Sequence, residues 1–509
     1  MPGMFIELID GEFLQIKSIA GNSDSNEAIL RGYRLQRCSS MNGMLEKKLN
    51  ELCFFHEVDL DDPRPLLEQS VCEFSIAQVK KIRNVRLTNQ KFPLDRNFNN
   101  SDFGSQLDAA QNGGLTARWK YICTYKSAAQ RYGNEFHDRA FEHVRADEVQ
   151  GPVTSSDAAL RETWRGETII GGSYLPFTHS QEHVPPTRAP GQMFTYGDAF
   201  CGTGGTTRGA LLANLKIKWG FDFNAQACVS WKSNFPDADN YELHSSEFVQ
   251  TARKLIEAGA QAKFKVDILH LSPPCQFFSV AHSVMGKNDE HNSASLFAVR
   301  DVIEVATPRV VTLEQAFGIV RPQFMWYLAA LIQMFTSLGF SLRWALVHFE
   351  DWGLPQRRKR LIMIASCPGE PLPRLPAPTH SATGMHGLKL YATVNATLAQ
   401  IPHGAPKHNP SELHAQDYKP WDGDAILPRS MTCAGGQNWH PSGRRDFTEC
   451  EYAALQGFPP GHIFKGSYVR KQIGNAVPPS VARVLFESVK RDLCVADGIV
   501  DEPEIMVVD

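Results

Sequence analysis

Apolar and polar positions change rhythm along the chain. From 4 to about 95 they come in short runs, "MFIELIDGEFLQIKSIA", "AILRGYRLQRCSS" and "KIRNVRLTN", separated by acidic or Gly/Asn punctuation. Such runs predict the strands of a small barrel or sandwich, and so a mainly-β N-terminal domain over 1–98. Residues 99–191 read as a linker around one helical patch at 127–145, because 99–114 is polar and Gly-rich and 145–192 is broken by Pro, Gly and Ser. From 192 the pattern becomes an alternation of apolar strand and amphipathic helix: "MFTYGDAFCG", helix 205–215, "KIKWGFDF", helix 224–234, helix 246–259, "KVDILHLS", helix 295–306, "RVVTLEQ", helix 322–338, "SLRWALVHF" and "RLIMIAS". That spacing predicts βαβ units, and hence an α/β fold with a doubly wound, mostly parallel sheet over 192–367. A Pro-rich exit leads into a small inserted domain at 368–440, helices over 441–495 return to the sheet, and an acidic tail at 496–509 frays.

Composition narrows this picture little. With 509 residues, 42% hydrophobic and 21% charged, the chain is long enough for two to four domains with proper cores. No apolar run approaches the roughly 20 residues of a membrane span, and the start "MPGMFIELIDGEF" lacks the basic and then apolar pattern of a secretory signal, so an intracellular protein is expected. The 11 cysteines show no CxxC and no zinc spacing, which predicts neither a disulfide framework nor a metal site. A formal net charge of -3 gives no global footprint for nucleic acid, so any polyanion contact must come from local stretches such as "QRRKR" at 356–360 and "YVRK" at 468–471.

Five stretches could carry chemistry. "DAFCGTGGTTRG", 198–209, runs from a strand end through a glycine turn into a helix; Gly202, Gly204 and Gly205 would let backbone N–H groups approach a ligand, although such a turn is as often structural. In "WGFDFN", roughly 20 residues on, Asp222 could accept ribose hydroxyls and Phe223 could stack on a purine, against the plainer reading of Asp222 as a helix N-cap. "SPPCQ" ends what would be the fourth strand. Free cysteine is usually a small buried hydrophobe, but Pro273 and Pro274 fix the backbone before Cys275 and no strand follows. "VVTLEQAFG" ends a strand on Glu314, a carboxyl that could hydrogen-bond a substrate nitrogen, or that is simply a solvated or capping residue. In "GLPQRRKRLIMIA" the basic cluster is a solvated run or an import patch on the bland reading; if "RLIMIA" is strand, Arg358 and Arg360 alternate onto one side and point together at an anionic or carbonyl-bearing ligand.

In this order the stretches resemble the cytosine-5 DNA methyltransferase family. "DAFCGTGG" is similar to its cofactor turn, "SPPCQ" to its nucleophile loop, "LEQ" to its Glu-Asn-Val motif, "QRRKR" to its Gln-x-Arg-x-Arg motif, "FTECEYAALQGFP" (447–459) to the helix before its last motif, and "QIGNAVPP" (472–479) to that closing motif. The resemblance covers about 192 to 490, and within the family it is nearest to the fungal repeat-defective group, which also has Gln after the Glu. The N-terminal stretch distantly resembles a bromo-adjacent homology domain.

The resemblance implies a class I methyltransferase fold and S-adenosylmethionine-dependent methylation of cytosine carbon 5 in double-stranded DNA, in a fungal nucleus where repeats are silenced. It implies Cys275 as the thiolate that adds to carbon 6, with Arg358 or Arg360 favouring the anion, Glu314 on ring nitrogen N3, and Arg360 on the ring carbonyl. Asp198, Phe200, Gly202, Gly204, Gly205, Asp222, Phe223, Pro273, Asn475 and Val477 would hold the cofactor; Gln276, Ser279, Gln356, Arg444 and Arg445 would meet DNA. A base must leave the stack to be reached, and the inserted domain 368–440 would be a small target-recognition domain facing the major groove. The N-terminal domain would serve chromatin or a histone. Departures from the family pattern are His270 and Leu271 where small residues are commoner, Gln315 and Ala316 for Asn and Val, and Cys201 for alanine. A transfer-RNA methyltransferase and a DNA- and cofactor-binding regulator without turnover are the competing readings; about 190 extra N-terminal residues favour the chromatin-targeted enzyme over the former.

Overall fold

The structure, a computed structural model, describes residues 1–21, 28–149, 154–176, 188–274, 278, 297–432 and 438–499. It divides into two compact units, one of Met1–Gly166, Ile319–Ala345 and Ala365–Leu372, the other of Glu167–Gly318, Leu346–Ile364 and Pro373–Asp509.

The first unit is built on β1 (Phe5–Leu8), β2 (Phe13–Gly21), β3 (Ala28–Arg37), β4 (Glu51–Asp59), β5 (Val71–Ser75), β6 (Val79–Arg83), β7 (Val85–Leu87), β8 (Leu115–Tyr125) and β9 (Asp138–His143). Strands β1 to β4 pair antiparallel in turn, except that β1 takes β6 on its other side and β4 pairs with β8 rather than with a fourth neighbour from its own hairpins. Consecutive residues of β1 and β2 serve two cores. Phe5 and Phe13 pack with Leu35, Leu52 and Leu115, while Ile6 and Leu14 pack with Ile16 and Leu30. Both faces of these strands are therefore buried, which explains apolar runs without clean alternation.

Residues 99–191, read above as linker, contain β8, which pairs with β4, β7 and β9. The helix expected at 127–145 is confined to Ala128–Tyr132, and 138–143 forms β9. Charge concealed this. Arg118 in the middle of β8 is buried because its guanidinium is paired with Glu51 at 2.9 Å and donates to the Leu94 carbonyl at 2.6 Å, so a position that breaks an apolar pattern is satisfied inside the sheet.

The second unit carries β10 (Thr195–Ala199), β11 (Lys216–Asp222), β12 (Asp239–Glu242), β13 (Ile268–Leu271) and β14 (Val310–Ala316), all parallel in the order β12-β11-β10-β13-β14. β15 (Ser341–His348) pairs antiparallel with β9 through residues 342–344, inside the first unit, and β16 (Lys359–Ser366) lies next to β14. Helices Gly205–Leu212, Ala225–Asn234, Ser245–Glu257 and Val299–Ala306 connect the parallel strands. Strand β12 was not anticipated: it is a four-residue edge strand, "DNYE", with no apolar pattern to announce it. Successive strands leave β10 in opposite directions, so a crevice opens beyond Ala199 where ligands settle in open α/β sheets.

The segment expected as an inserted domain at 368–440 shares its core with the C-terminal helices. Val394, Leu427 and Met431 pack with Phe447, Tyr452 and Leu455 around helix Glu449–Leu455, and with Val469 and Ile473 of helix Val469–Asn475. Among the described residues no helix is long and apolar enough to cross a membrane, and no group of side chains could hold a metal ion.

Candidate active site

The crevice at the carboxyl edge of β10, β11, β13 and β14 holds a cavity of ≈ 460 Å³. Of the residues singled out from the sequence, it is lined by Phe200, Gly202, Gly205, Asp222, Phe223, Pro273, Glu314, Asn475 and Val477. Asp198 and Gly204 do not line it, and both act from behind. A Cβ on Gly204 would come within 2.5 Å of the Phe235 ring, so that glycine admits the chain's own packing, whereas a Cβ on Gly202 would meet nothing. The open side of the turn is at Gly202.

Asp198 lies fully buried at the end of β10, where its Oδ2 accepts hydrogen bonds from the hydroxyls of Thr206, at 2.7 Å, and Thr207, at 2.5 Å. Trp231 in turn donates its indole N–H to Thr207 at 2.8 Å. The carboxyl thus fixes the first turn of helix Gly205–Leu212. Burial pushes it up to about 7 from an ordinary 3.8, although the threonine hydrogen bonds favour the charged form. A raised carboxyl makes folding less favourable as pH climbs: below 3.8 both states are protonated, and above 7 both are ionised, with the folded state bearing the buried charge. Asp198→Asn, neutral throughout, should therefore gain on the wild type by up to ~4 kcal/mol between pH 4 and 7 in urea unfolding. A pH-independent difference would show that the carboxyl is already ionised at no cost.

Asp222, at the end of β11, binds back to the glycine turn. Its Oδ2 accepts from Gly202 N at 2.9 Å and its Oδ1 from Asn224 N at 2.8 Å. It is not the N-cap of the next helix, since that position belongs to Asn224, whose side chain accepts from Ala227 N. Burial raises the Asp222 carboxyl as well. Phe223 is 55% exposed and stacks on His244 with ring centroids 5.1 Å apart. An exposed ring and a half-buried carboxylate at adjacent positions of the cavity wall fit the adenine and the ribose of a nucleoside.

Glu314, which also lines the cavity, stands near the end of β14, two residues before Ala316, and is 5% exposed. Arg360 from β16 meets it, Nε to Oε1, at 2.9 Å. Arg358 is placed differently from the expectation that the two arginines point together. It precedes β16, its N–H donates to Glu350 and its guanidinium to the Met431 carbonyl at 3.1 Å, so the alternation of a strand does not apply to it. Gln356, expected at DNA, is fully buried: its amide donates to Leu455 O and Gln456 Oε1 and accepts from Met431 N, which ties this loop to helix Glu449–Leu455. Arg445, also expected at DNA, is held by both oxygens of Glu451 at 2.7 and 2.8 Å, while Arg444 is exposed. Cys275, Gln276 and Ser279 lie outside the described residues.

Two departures from the family pattern have structural counterparts. His270 does not narrow the cavity: it is buried between Thr312, whose hydroxyl is 2.8 Å from Nδ1, and the Phe486 ring, and burial pushes it down to about 3, so the imidazole is neutral. Gln315 reaches the other way. Its amide donates to the Pro273 carbonyl at 3.3 Å and its Oε1 accepts from Ala316 N. The longer amide therefore reaches the chain two residues before Cys275, the stretch on which a longer side chain after the Glu is expected to act.

Together, a crevice at the carboxyl edge of a parallel sheet, lined by Asp222, Phe223 and Glu314, and the Glu314–Arg360 ion pair are the equipment of a transferase that uses a nucleoside-bearing cofactor and acts on a polar ring. The model of the family described as C-5 cytosine-specific DNA methylase matches residues 194–425 and 408–491, and the chain belongs to that family. It is a DNA cytosine-5 methyltransferase, and its methyl donor is S-adenosylmethionine. Among its relatives, the type II methyltransferase M.NgoFVII of Neisseria gonorrhoeae is 26% identical over 355 residues, spanning 61% of this chain and 92% of that protein. M1.HphI of Haemophilus parahaemolyticus is 26% identical over 330 residues, 58% of this chain and 86% of that one. Among solved structures, the Entamoeba histolytica methyltransferase EhMeth aligns over 59% of this chain and 99% of its own, at 17% identity and a TM-score of 0.43.

Proposed function

We propose that the enzyme methylates carbon 5 of cytosine in double-stranded DNA through a covalent adduct of Cys275, with the base turned out of the helix into the end of the crevice that Glu314 and Arg360 border. One observation carries this reading: Glu314, paired with Arg360, lines the same cavity as Gly202, Asp222 and Phe223. The ring-handling groups and the nucleoside-holding groups thus share one space.

Carbon 5 of cytosine is a weak nucleophile. Addition of the Cys275 thiolate to carbon 6 pushes the ring electrons toward carbon 5, while the Glu314 carboxyl group delivers a proton to N3 and Arg360 holds both that group and the ring carbonyl. Bound S-adenosylmethionine supplies the methyl group. Loss of the carbon-5 proton and elimination of the thiolate then restore the aromatic ring. Asp222 takes the ribose hydroxyls, Phe223 the adenine face, and Pro273, Asn475 and Val477 wall the cavity. The exposed Arg444 is a candidate phosphate contact. The resemblance of the motifs, with Gln315 after Glu314, supports a doubly wound class I methyltransferase fold and a role in repeat silencing in a fungal nucleus, with the mainly-β N-terminal domain directed at chromatin.

The test is transfer of a tritiated methyl group from the cofactor to duplex DNA and to transfer RNA in parallel. Label is expected in DNA, at cytosine. Label confined to RNA rejects the substrate, and cofactor binding without label in either favours a regulator.

A further inference from the structure

Ten described residues other than glycine have positive φ; half are Asn or Asp, which tolerate that conformation, and two are aromatic, Phe200 and Tyr468. Both aromatics line the cofactor cavity. Phe200 belongs to the glycine turn, whereas Tyr468 enters the sequence reading only as the first residue of the basic stretch "YVRK", with no role of its own. It is the N-cap of helix Val469–Asn475, at φ 58° and ψ 40°, and it makes no side-chain cap hydrogen bond. An N-cap is ordinarily extended and is best filled by Asn, Asp, Ser, Thr or Gly. A bulky ring held left-handed there is locally the wrong residue.

Burial does not explain it, since Tyr468 is 78% exposed. The loop before it is nevertheless fixed at several points. Lys465 N donates to Ser230 Oγ at 2.9 Å, and Ser467 N to Gln226 Oε1 at 2.9 Å. Gln472 donates to the carbonyls of Lys465 and Ser467 and accepts from the Ser230 hydroxyl. Strain that the surroundings over-determine, on a residue that gains no packing from it, marks a binding position. The anchors also say which end of the cavity the ring serves. Gln226 lines the cavity and stands four residues after Asp222, on the helix that begins just beyond Phe223.

We propose that Tyr468 is a binding residue for the adenosine half of S-adenosylmethionine, its ring preset in the left-handed conformation to pack against the nucleoside at the mouth of the cavity. The inference rests on the assignment of this cavity to the cofactor. Its test is calorimetric titration of the full chain with S-adenosylmethionine and with S-adenosylhomocysteine, beside thermal unfolding of the ligand-free protein. Tyr468→Gly should raise Tm by about 2 °C, because the backbone strain is relieved, and yet raise both Kd values about tenfold. Tyr468→Leu should lose affinity similarly with no gain in Tm, and Tyr468→Phe should bind like the wild type. Wild-type affinity in the Gly and Leu variants overturns the proposal, and so does equal loss in Phe and Leu, which would mean that the loop and not the ring matters. Should the Gly variant fail to fold, the Leu and Phe pair still decides. Asp222→Ala separates the two levels: weakened binding there with none at Tyr468 rejects the tyrosine alone, whereas a wild-type chain that binds neither ligand rejects the cavity assignment together with it.

Discussion

Cys275→Ser is expected to lower methyl transfer to duplex DNA by at least about 10³-fold while leaving cofactor Kd within about twofold. The hydroxyl that replaces the thiol is almost wholly protonated near neutrality, so addition to carbon 6 loses its nucleophile. Cofactor affinity survives because the groups assigned to it, Asp222 and Phe223 above all, belong to β11 and the start of the following helix. Duplex carrying 5-fluorocytosine sharpens the test. Fluorine cannot leave carbon 5 as a proton does, so the wild-type enzyme should remain bonded to the DNA through a denaturing gel and the serine variant should not. An adduct that persists in Cys275→Ser would place the nucleophile elsewhere; parallel loss of cofactor binding would make the residue structural.

The second large effect concerns the ion pair. Glu314→Gln should cut the rate by about 10²- to 10⁴-fold, as removal of a proton-donating or hydrogen-bonding acid does. It should also destabilise the protein by about 2–4 kcal/mol, since the Arg360 guanidinium is left largely buried without its counter-charge. Arg360→Met has the converse defect, a buried carboxylate with no cation. Because each single change strands one charge, the double variant Glu314→Gln/Arg360→Met should be less destabilised than the two single effects added together, yet no more active than either. Urea unfolding gives the first comparison and single-turnover methylation the second. Additive destabilisation would mean that the 2.9 Å contact contributes nothing to folding.

The rhythm of the second unit was readable because parallel strands covered on both faces are buried at every position and so mostly apolar, as in "ILHL" and "VVTLEQA", whose few polar residues, His270, Thr312, Glu314 and Gln315, are buried too. Where the sequence misled, a distant partner had changed what a polar residue means. Arg118 interrupts the apolar run of β8, which is easily passed over between two irregular stretches, and it is accommodated there by Glu51. Gln356 and Arg445 read as free polar groups until Leu455, Gln456 and Glu451 arrive from 99, 100 and 6 residues away. Motif spacing brought Asp222, Phe223, Glu314 and Asn475 to one cavity, but it did not tell Asp198 and Gly204, which brace the turn from behind, from Gly202, which faces the opening. In "YVRK" the charges drew attention and Tyr468 did not, since what sets it apart is a backbone angle.

The core shared by Val394, Leu427 and Met431 with helices Glu449–Leu455 and Val469–Asn475 bears on any attempt to exchange this segment for that of a relative. A chimera that transplants 394–431 alone would tear those three side chains from Phe447, Tyr452 and Ile473 and expose both halves of one apolar cluster. The helix on the receiving side also carries Asn475, at the cavity wall. Exchange therefore means moving 394–475 as one block, and a donor whose block fits poorly is expected to betray itself in weakened cofactor retention.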